Sequence, residues 1–230
     1  MTQVVERRAF QHAVELRAAP EGSSGPGTLV GYGAVFNSQS RDLGGWVEEI
    51  DPAAFGPVGP LDLAVHTRVI ARAEHDSRLL LGTTDAGTLR VAVDDIGLPY
   101  SVDLPNTSAG RDAAELASRG DYSHSSFAFR ILPDGVEWRE NADGILVRRI
   151  LRAVLIDVAP VADPAYWAAT AELQRSVDLD AVRAALHPQP PAPGDWENAA
   201  TERSAARLSR KEHTALATRS RGRGKNGGRK

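Results

Sequence analysis

From about residue 3 to residue 176 the apolar residues come in short runs, many alternating with polar ones and separated by turn-forming clusters. A period of two is the mark of a half-buried strand. VVERRAFQHAVELRA and TLVGYGAVFN are two such runs, divided by the Gly/Ser/Pro cluster EGSSGPG. GWVEEI is a short strand, and DPAAF is a turn leading into one helical turn, whereas DLAVHTRVIARAEHD fits neither period cleanly. RLLLGTTDAGTLRVAVDD sets two apolar runs about a turn at Asp85–Gly87, which predicts a hairpin. GVEWRE, the turn NADG and the run ILVRRILRAVLIDVAPV predict another.

One helix is well signalled: Thr107 or Ser108 caps RDAAELASR, and Gly120 stands where a C′ glycine ends such a helix. ADPAYWAATAELQRSV opens on a proline turn and continues as a helix. Many short strands with few helices predict an α+β fold, mainly antiparallel, with a closed or partly open β-barrel core and helices outside it. The Pro-rich HPQPPAPGDW, His187 to Trp196, neither continues a helix nor joins a sheet interior. The expected organisation is a folded domain over residues 1–186, a Pro-rich linker over 187–200, and a basic, largely disordered tail over 201–230.

Composition narrows the chemistry. The chain has no cysteine, which excludes disulfides, thiolate nucleophiles and cysteine-bound zinc. No apolar run approaches the roughly 20 residues that span a bilayer, and the N-terminal MTQVVERRAFQHAVEL lacks the apolar block of a secretory signal. A soluble intracellular protein without a membrane partner is the expectation. The net charge of −3 conceals an asymmetry: Thr201–Lys230 carries +8, leaving −11 for the first 200 residues. Such a tail either contacts an anionic partner, an acidic scaffold or nucleic acid, or serves as a solvated solubilising segment.

The segment SHSSFAFR, Ser123 to Arg130, holds three serines and a histidine among phenylalanines. Alternation places Ser123, Ser125, Phe127 and Phe129 on one face, and Tyr122, His124, Ser126, Ala128 and Arg130 on the other. The phenylalanines take Ser125 into the core, so Ser126 faces outward and is the better nucleophile of the strand. A serine needs a neighbouring base. His12, His66, His75 and His124 are available in the body, with His187 in the linker. A metal hydrolase built on His66 and His75 finds no ligand spacing in support.

Several motifs in order resemble the prohead (capsid maturation) proteases of tailed bacteriophages, which are related in fold to the herpesvirus assemblins. They are GYGAVFN (Gly31–Asn37), GW-x-E-x-I-x-P-x-AF (Gly45–Phe55), EHDSRLLLG, GTL (Gly87–Leu89), LPNTSAGRD, RGDYSHSSFAF and L-x-DVAPVADPAY (Leu155–Tyr166). The resemblance implies that His75 is the base and Ser126 the nucleophile of a serine endopeptidase, with no cofactor and no metal. It departs at Glu74, Ala128 and Asp157, where asparagine, glycine and glutamate are usual. The assemblins' second histidine has no counterpart here. Asp157 is the candidate third member, because a carboxylate holds histidine in the right tautomer; an ion pair with Arg149 or Arg152 is its other reading, and Asp76 and Asp163 are rivals. Backbone amides or Arg148, Arg149 and Arg152 are the candidate oxyanion donors. The resemblance further implies cleavage of scaffold or of the scaffolding segment of the major capsid protein, self-cleavage, self-association, and action inside the assembling procapsid in the host cytoplasm. A non-catalytic assembly protein with a tail binding capsid, scaffold or nucleic acid is the alternative.

Overall fold

The computed structural model describes residues 5–10, 14–19, 21–22, 24–162 and 177–188. The helix expected from ADPAYW onward, and most of the linker and all of the tail, fall outside them. So do His12 and Asp163.

Thirteen strands are described: β1 (Glu6–Phe10), β2 (Glu15–Arg17), β3 (Thr28–Val35), β4 (Trp46–Ile50), β5 (Gly59–Pro60), β6 (Ile70–Arg72), β7 (Leu80–Thr83), β8 (Leu89–Val93), β9 (Gly97–Asp103), β10 (His124–Ile131), β11 (Val136–Glu140), β12 (Leu146–Ile150) and β13 (Ala153–Val161). Three helices accompany them: α1 (Leu63–His66), α2 (Ser108–Ser118) and α3 (Leu179–Leu186). The strands form three sheets, ordered β1-β10-β13-β6-β7, β11-β12-β4 and β2-β3-β9-β8-β5. The fold is α+β and mostly antiparallel; β12 with β4 and β13 with β6 are parallel pairs. No closed barrel is found among the described residues.

Local signals explain several elements. Thr107 caps α2, accepting from the Gly110 amide, and Gly120 follows at φ +81°, where glycine carries no Cβ penalty. Asp62 caps α1 within the segment that fitted neither period, accepting from the Ala64 amide. The NADG turn joins β11 to β12 as an antiparallel hairpin, as expected. The DAG turn is formed too, with Gly87 at φ +69°, but the hairpin expected there is not. β7 pairs with β6 and β8 with β9, in different sheets. Thr83 and Thr88 side chains take the backbone amides of Ala86 and Thr83, satisfying locally what ladder bonds would otherwise satisfy.

The larger apolar cluster centres on Phe127 and Phe129, stacked at 4.9 Å, with Phe55 edge-on to Phe127 at 5.9 Å and Leu29, Leu98, Leu155 and Val158 around them. Each buried phenylalanine contributes about 1.5–3 kcal/mol. A second cluster joins Trp46, Leu43, Leu146, Ala159 and Val161, with Leu179, Val182 and Leu186 of α3 laid against it. A buried ionic cluster links the two. Glu48 accepts from Arg8 Nε at 2.6 Å and from Arg148 at 3.0 Å, and Glu6 pairs with both arginines. The Arg8 guanidinium lies over Phe129 and that of Arg148 over Trp46, each 5.6 Å from the ring centre. Burial alone would raise the Glu6 carboxyl pKa, but Arg148 and Arg8 overcome it and hold the group below its usual range.

Candidate active site

β10 lies between β1 and β13, with Ser126 opposite Ala9 on one side and Ala159 on the other. Its core face is as the alternation predicts: Ser125, Phe127 and Phe129 are fully buried. Ser125 Oγ lies 2.9 Å from the Tyr100 hydroxyl. Gly31 of the GYGAVFN motif leaves room for this pair, since a Cβ there would stand 2.8 Å from Ser125 Oγ. Ser126 points to the other face, but it is not open to solvent as the sequence suggests. It is 4 % exposed, lying between Ala9 and Ala159, both packed in the second apolar cluster, and against the His75 ring.

β6 runs parallel to β13, pairing Ile70 with Asp157. The 3-10 turn Ala73–His75 that follows therefore emerges beside the strand carrying Asp157. Glu74 and His75 both sit at φ +55°, a left-handed conformation costly for residues with a Cβ. Asparagine suits that conformation better, which gives the departure at Glu74 a physical meaning. Here the Glu74 carboxylate accepts from the Ala162 amide at 2.8 Å and ties the turn to the end of β13.

The turn delivers His75 between two partners. Nδ1 lies 2.7 Å from Asp157 Oδ1, and Nε2 lies 2.6 Å from Ser126 Oγ. A carboxylate only accepts, so Nδ1 carries the proton and the Nε2 lone pair faces the serine. Asp157 is 2 % exposed, and Arg72 approaches its other oxygen at 3.5 Å. The Ser126 hydroxyl also lies 2.9 Å from the Arg8 carbonyl oxygen.

The remaining candidates have other partners. His124 bonds Ser123 Oγ at 2.7 Å. His66 is buried, its Nε2 donating to the Phe55 carbonyl and its Nδ1 accepting from the Leu155 amide, and burial lowers its pKa. Asp76 is clasped by exposed Arg78, which lowers its pKa to about 2. Arg149 pairs with Glu49 and Asp51, and Arg148 with Glu6 and Glu48, so neither pairs with Asp157 and both are neutralised as oxyanion donors. Arg152 and backbone amides remain from that set. Sequence reasoning missed Arg72, the Arg8 carbonyl and the Glu74 tie; only the Glu74 departure hinted at any of them.

The family model for the caudovirus prohead serine protease matches residues 12–183. The chain belongs to that family. The matched range includes the 3-10 turn bearing His75 and the strands bearing Ser126 and Asp157, so the three residues lie within the prohead serine protease region. No curated protein and no solved structure matches the chain. No helix among the described residues is long and apolar enough to cross a membrane.

Proposed function

We propose that this prohead serine protease is a serine endopeptidase with Ser126 as nucleophile, His75 as general base and acid, and Asp157 as the group that orients and stabilises His75. The observation that carries the reading is the unbroken line of hydrogen bonds from Ser126 Oγ through His75 to Asp157. As Ser126 Oγ attacks the scissile carbonyl carbon, its proton passes to His75 Nε2. The imidazolium, stabilised by Asp157, then protonates the leaving amine as the C–N bond breaks, leaving an acyl ester on Ser126. Water, deprotonated by Nε2, attacks that ester, and the imidazolium returns the proton to Ser126 Oγ as the ester C–O bond breaks, releasing the carboxylic acid and restoring Ser126 and His75.

The substrates proposed are scaffold or the scaffolding segment of the major capsid protein, and the chain itself, inside the procapsid in the host cytoplasm. The basic tail suits an acidic scaffold as its anchor. The test is prohead maturation with Ser126→Ala or His75→Ala chains. Uncut scaffold and capsid precursors with both variants support the reading, and normal processing with either overturns it. The 4 % exposure of Ser126 favours one rival, an assembly protein that keeps the fold without catalysis. Normal processing with both variants is the result that rival requires.

A further inference from the structure

We propose that His66 is a positioning residue for Asp157: it locks a β-bulge in β13 that turns the Asp157 carboxylate away from the core and toward His75. The inference rests on the protease reading above and deepens it by naming what aims the carboxylate.

β13 changes faces at one point. Period-two alternation would put Leu155 and Asp157 on the same side of the strand. They lie on opposite sides. Ala153, Leu155 and Val158 pack in the larger apolar cluster with Phe127 and Phe129. Asp157 instead meets His75, and Ala159 and Val161 beyond it join the second cluster. The register shows how the switch is made. Phe129 pairs with Leu155 and the adjacent Ala128 with Asp157, so Ile156 is an extra residue on the β13 side. Such a bulge re-aims the side chains that follow it. With Leu155 still opposite Phe129 but no extra residue accommodated, Asp157 would turn into the apolar core and lose His75.

A bulge interrupts the ladder, and the backbone groups it displaces need other partners. His66, 2 % exposed, supplies one. Its Nδ1 accepts from the amide of Leu155, the residue directly before Ile156, at 3.0 Å. Its Nε2 donates to the Phe55 carbonyl, also at 3.0 Å. Only the tautomer protonated at Nε2 makes both bonds. Because a buried amide without an acceptor is costly, this bond favours the bulged register over a slipped one. Backbone strain marks the same place. Thr67, directly after His66, sits at φ +48° and ψ −84°, which is unfavourable for a β-branched residue. Strain of this kind persists where surrounding contacts hold it, and it gathers at functional sites. The chain from His66 to His75 thus meets β13 at successive points: His66 at the Leu155 amide, Ile70 beside Asp157, and His75 at the Asp157 carboxylate. The bulge lies within that span.

The test compares His66→Asn with His66→Gln in the full-length chain. Asparagine Oδ1 stands as many bonds from Cα as histidine Nδ1, so it can accept from the Leu155 amide. Glutamine Nε2 stands as many bonds away as histidine Nε2, so it can donate to the Phe55 carbonyl but leaves Leu155 without its acceptor. Both variants lose the ring, and the difference between them isolates the Leu155 bond. The readouts are kcat and KM for a peptide spanning a cut site found by mass spectrometry of processed scaffold, and the low-field proton of the His75–Asp157 bond in NMR. His66→Gln is expected to lower kcat on the order of 10²-fold at unchanged KM, the scale of a displacement of about 1 Å, and to lose the low-field proton. His66→Asn is expected to keep that proton and most of the rate. A His66→Gln rate no lower than that of His66→Asn, an intact low-field proton in His66→Gln, or unfolding of either variant by circular dichroism overturns the positioning role and leaves the protease reading intact. If wild type neither cuts the peptide nor takes a phosphonate on Ser126, the protease reading falls, and the low-field proton still decides whether His66 aims Asp157.

Discussion

The Arg8 carbonyl oxygen lies 2.9 Å from Ser126 Oγ, giving the hydroxyl a second acceptor besides His75 Nε2 at 2.6 Å. One hydroxyl proton serves one of them at a time. Only the arrangement aimed at His75 activates the oxygen, so the position of β1 bears on the reactivity of a residue 118 positions away. The ionic cluster of Arg8, Glu48, Arg148 and Glu6 holds β1 there.

Glu48→Ala tests that hold. It leaves Arg8 and Arg148 buried with Glu6 as their remaining carboxylate, and it is expected to cost about 3–5 kcal/mol of stability, the scale for breaking a buried pair. Urea unfolding measures it; a loss below about 1 kcal/mol, typical of an exposed pair, means the cluster does not secure the strand.

Asp157→Asn preserves shape but removes the acceptor-only partner of Nδ1. The amide can donate to the imidazole and favour the wrong tautomer. Single-turnover cleavage is expected to slow by on the order of 10⁴-fold, as in the Ser-His-Asp template, with folding intact by circular dichroism. A rate within about tenfold of wild type would reduce Asp157 to an ion-pair partner of Arg72.

Gly31→Ala places a methyl 2.8 Å from Ser125 Oγ and 3.1 Å from the Tyr100 hydroxyl. Ser125 is the core-facing neighbour of Ser126 on β10, and the buried Tyr100 of β9 bonds it from behind that strand. The expected cost is about 1–3 kcal/mol, seen as a lower thermal midpoint, together with reduced cleavage because β10 is pushed from behind.

His66 provides a pH test. Its folded pKa is depressed by burial, so the unfolded chain takes up this proton first as pH falls. The stabilisation is full above the unfolded value of about 6.5 and is lost as pH drops toward the depressed folded value. Wild type should therefore lose stability as pH falls from about 7.5, one unit above that value, toward the depressed folded value, and His66→Gln should flatten this slope. An equally steep slope in the variant assigns it to other groups.

Much of the candidate site was legible because strand alternation is local. Phe127 and Phe129 fix the core face of β10, and Ser126 follows without any tertiary information. His75 was legible only through the order of motifs, since nothing local distinguishes it from His66. Asp157 entered as one carboxylate among several, and the β13–β6 register is what brings it to His75. Partners across the sheet were not legible: the Arg8 carbonyl depends on β1 pairing with β10, and Arg72 on β6 lying beside β13. The hairpin expected about Gly87 failed for a related reason. Two apolar runs about a good turn state that the chain reverses, not which sheet each strand joins. The exposure expected of Ser126 failed because period two distinguishes faces, not how much covers each face.

The most direct measurement is covalent labelling with a serine-directed phosphonate in assembled particles, followed by peptide mapping. The account predicts one adduct, on Ser126, lost in His75→Ala as well as in Ser126→Ala. An adduct on Ser123 or Ser125, or undiminished labelling of Ser126 without His75, would contradict it.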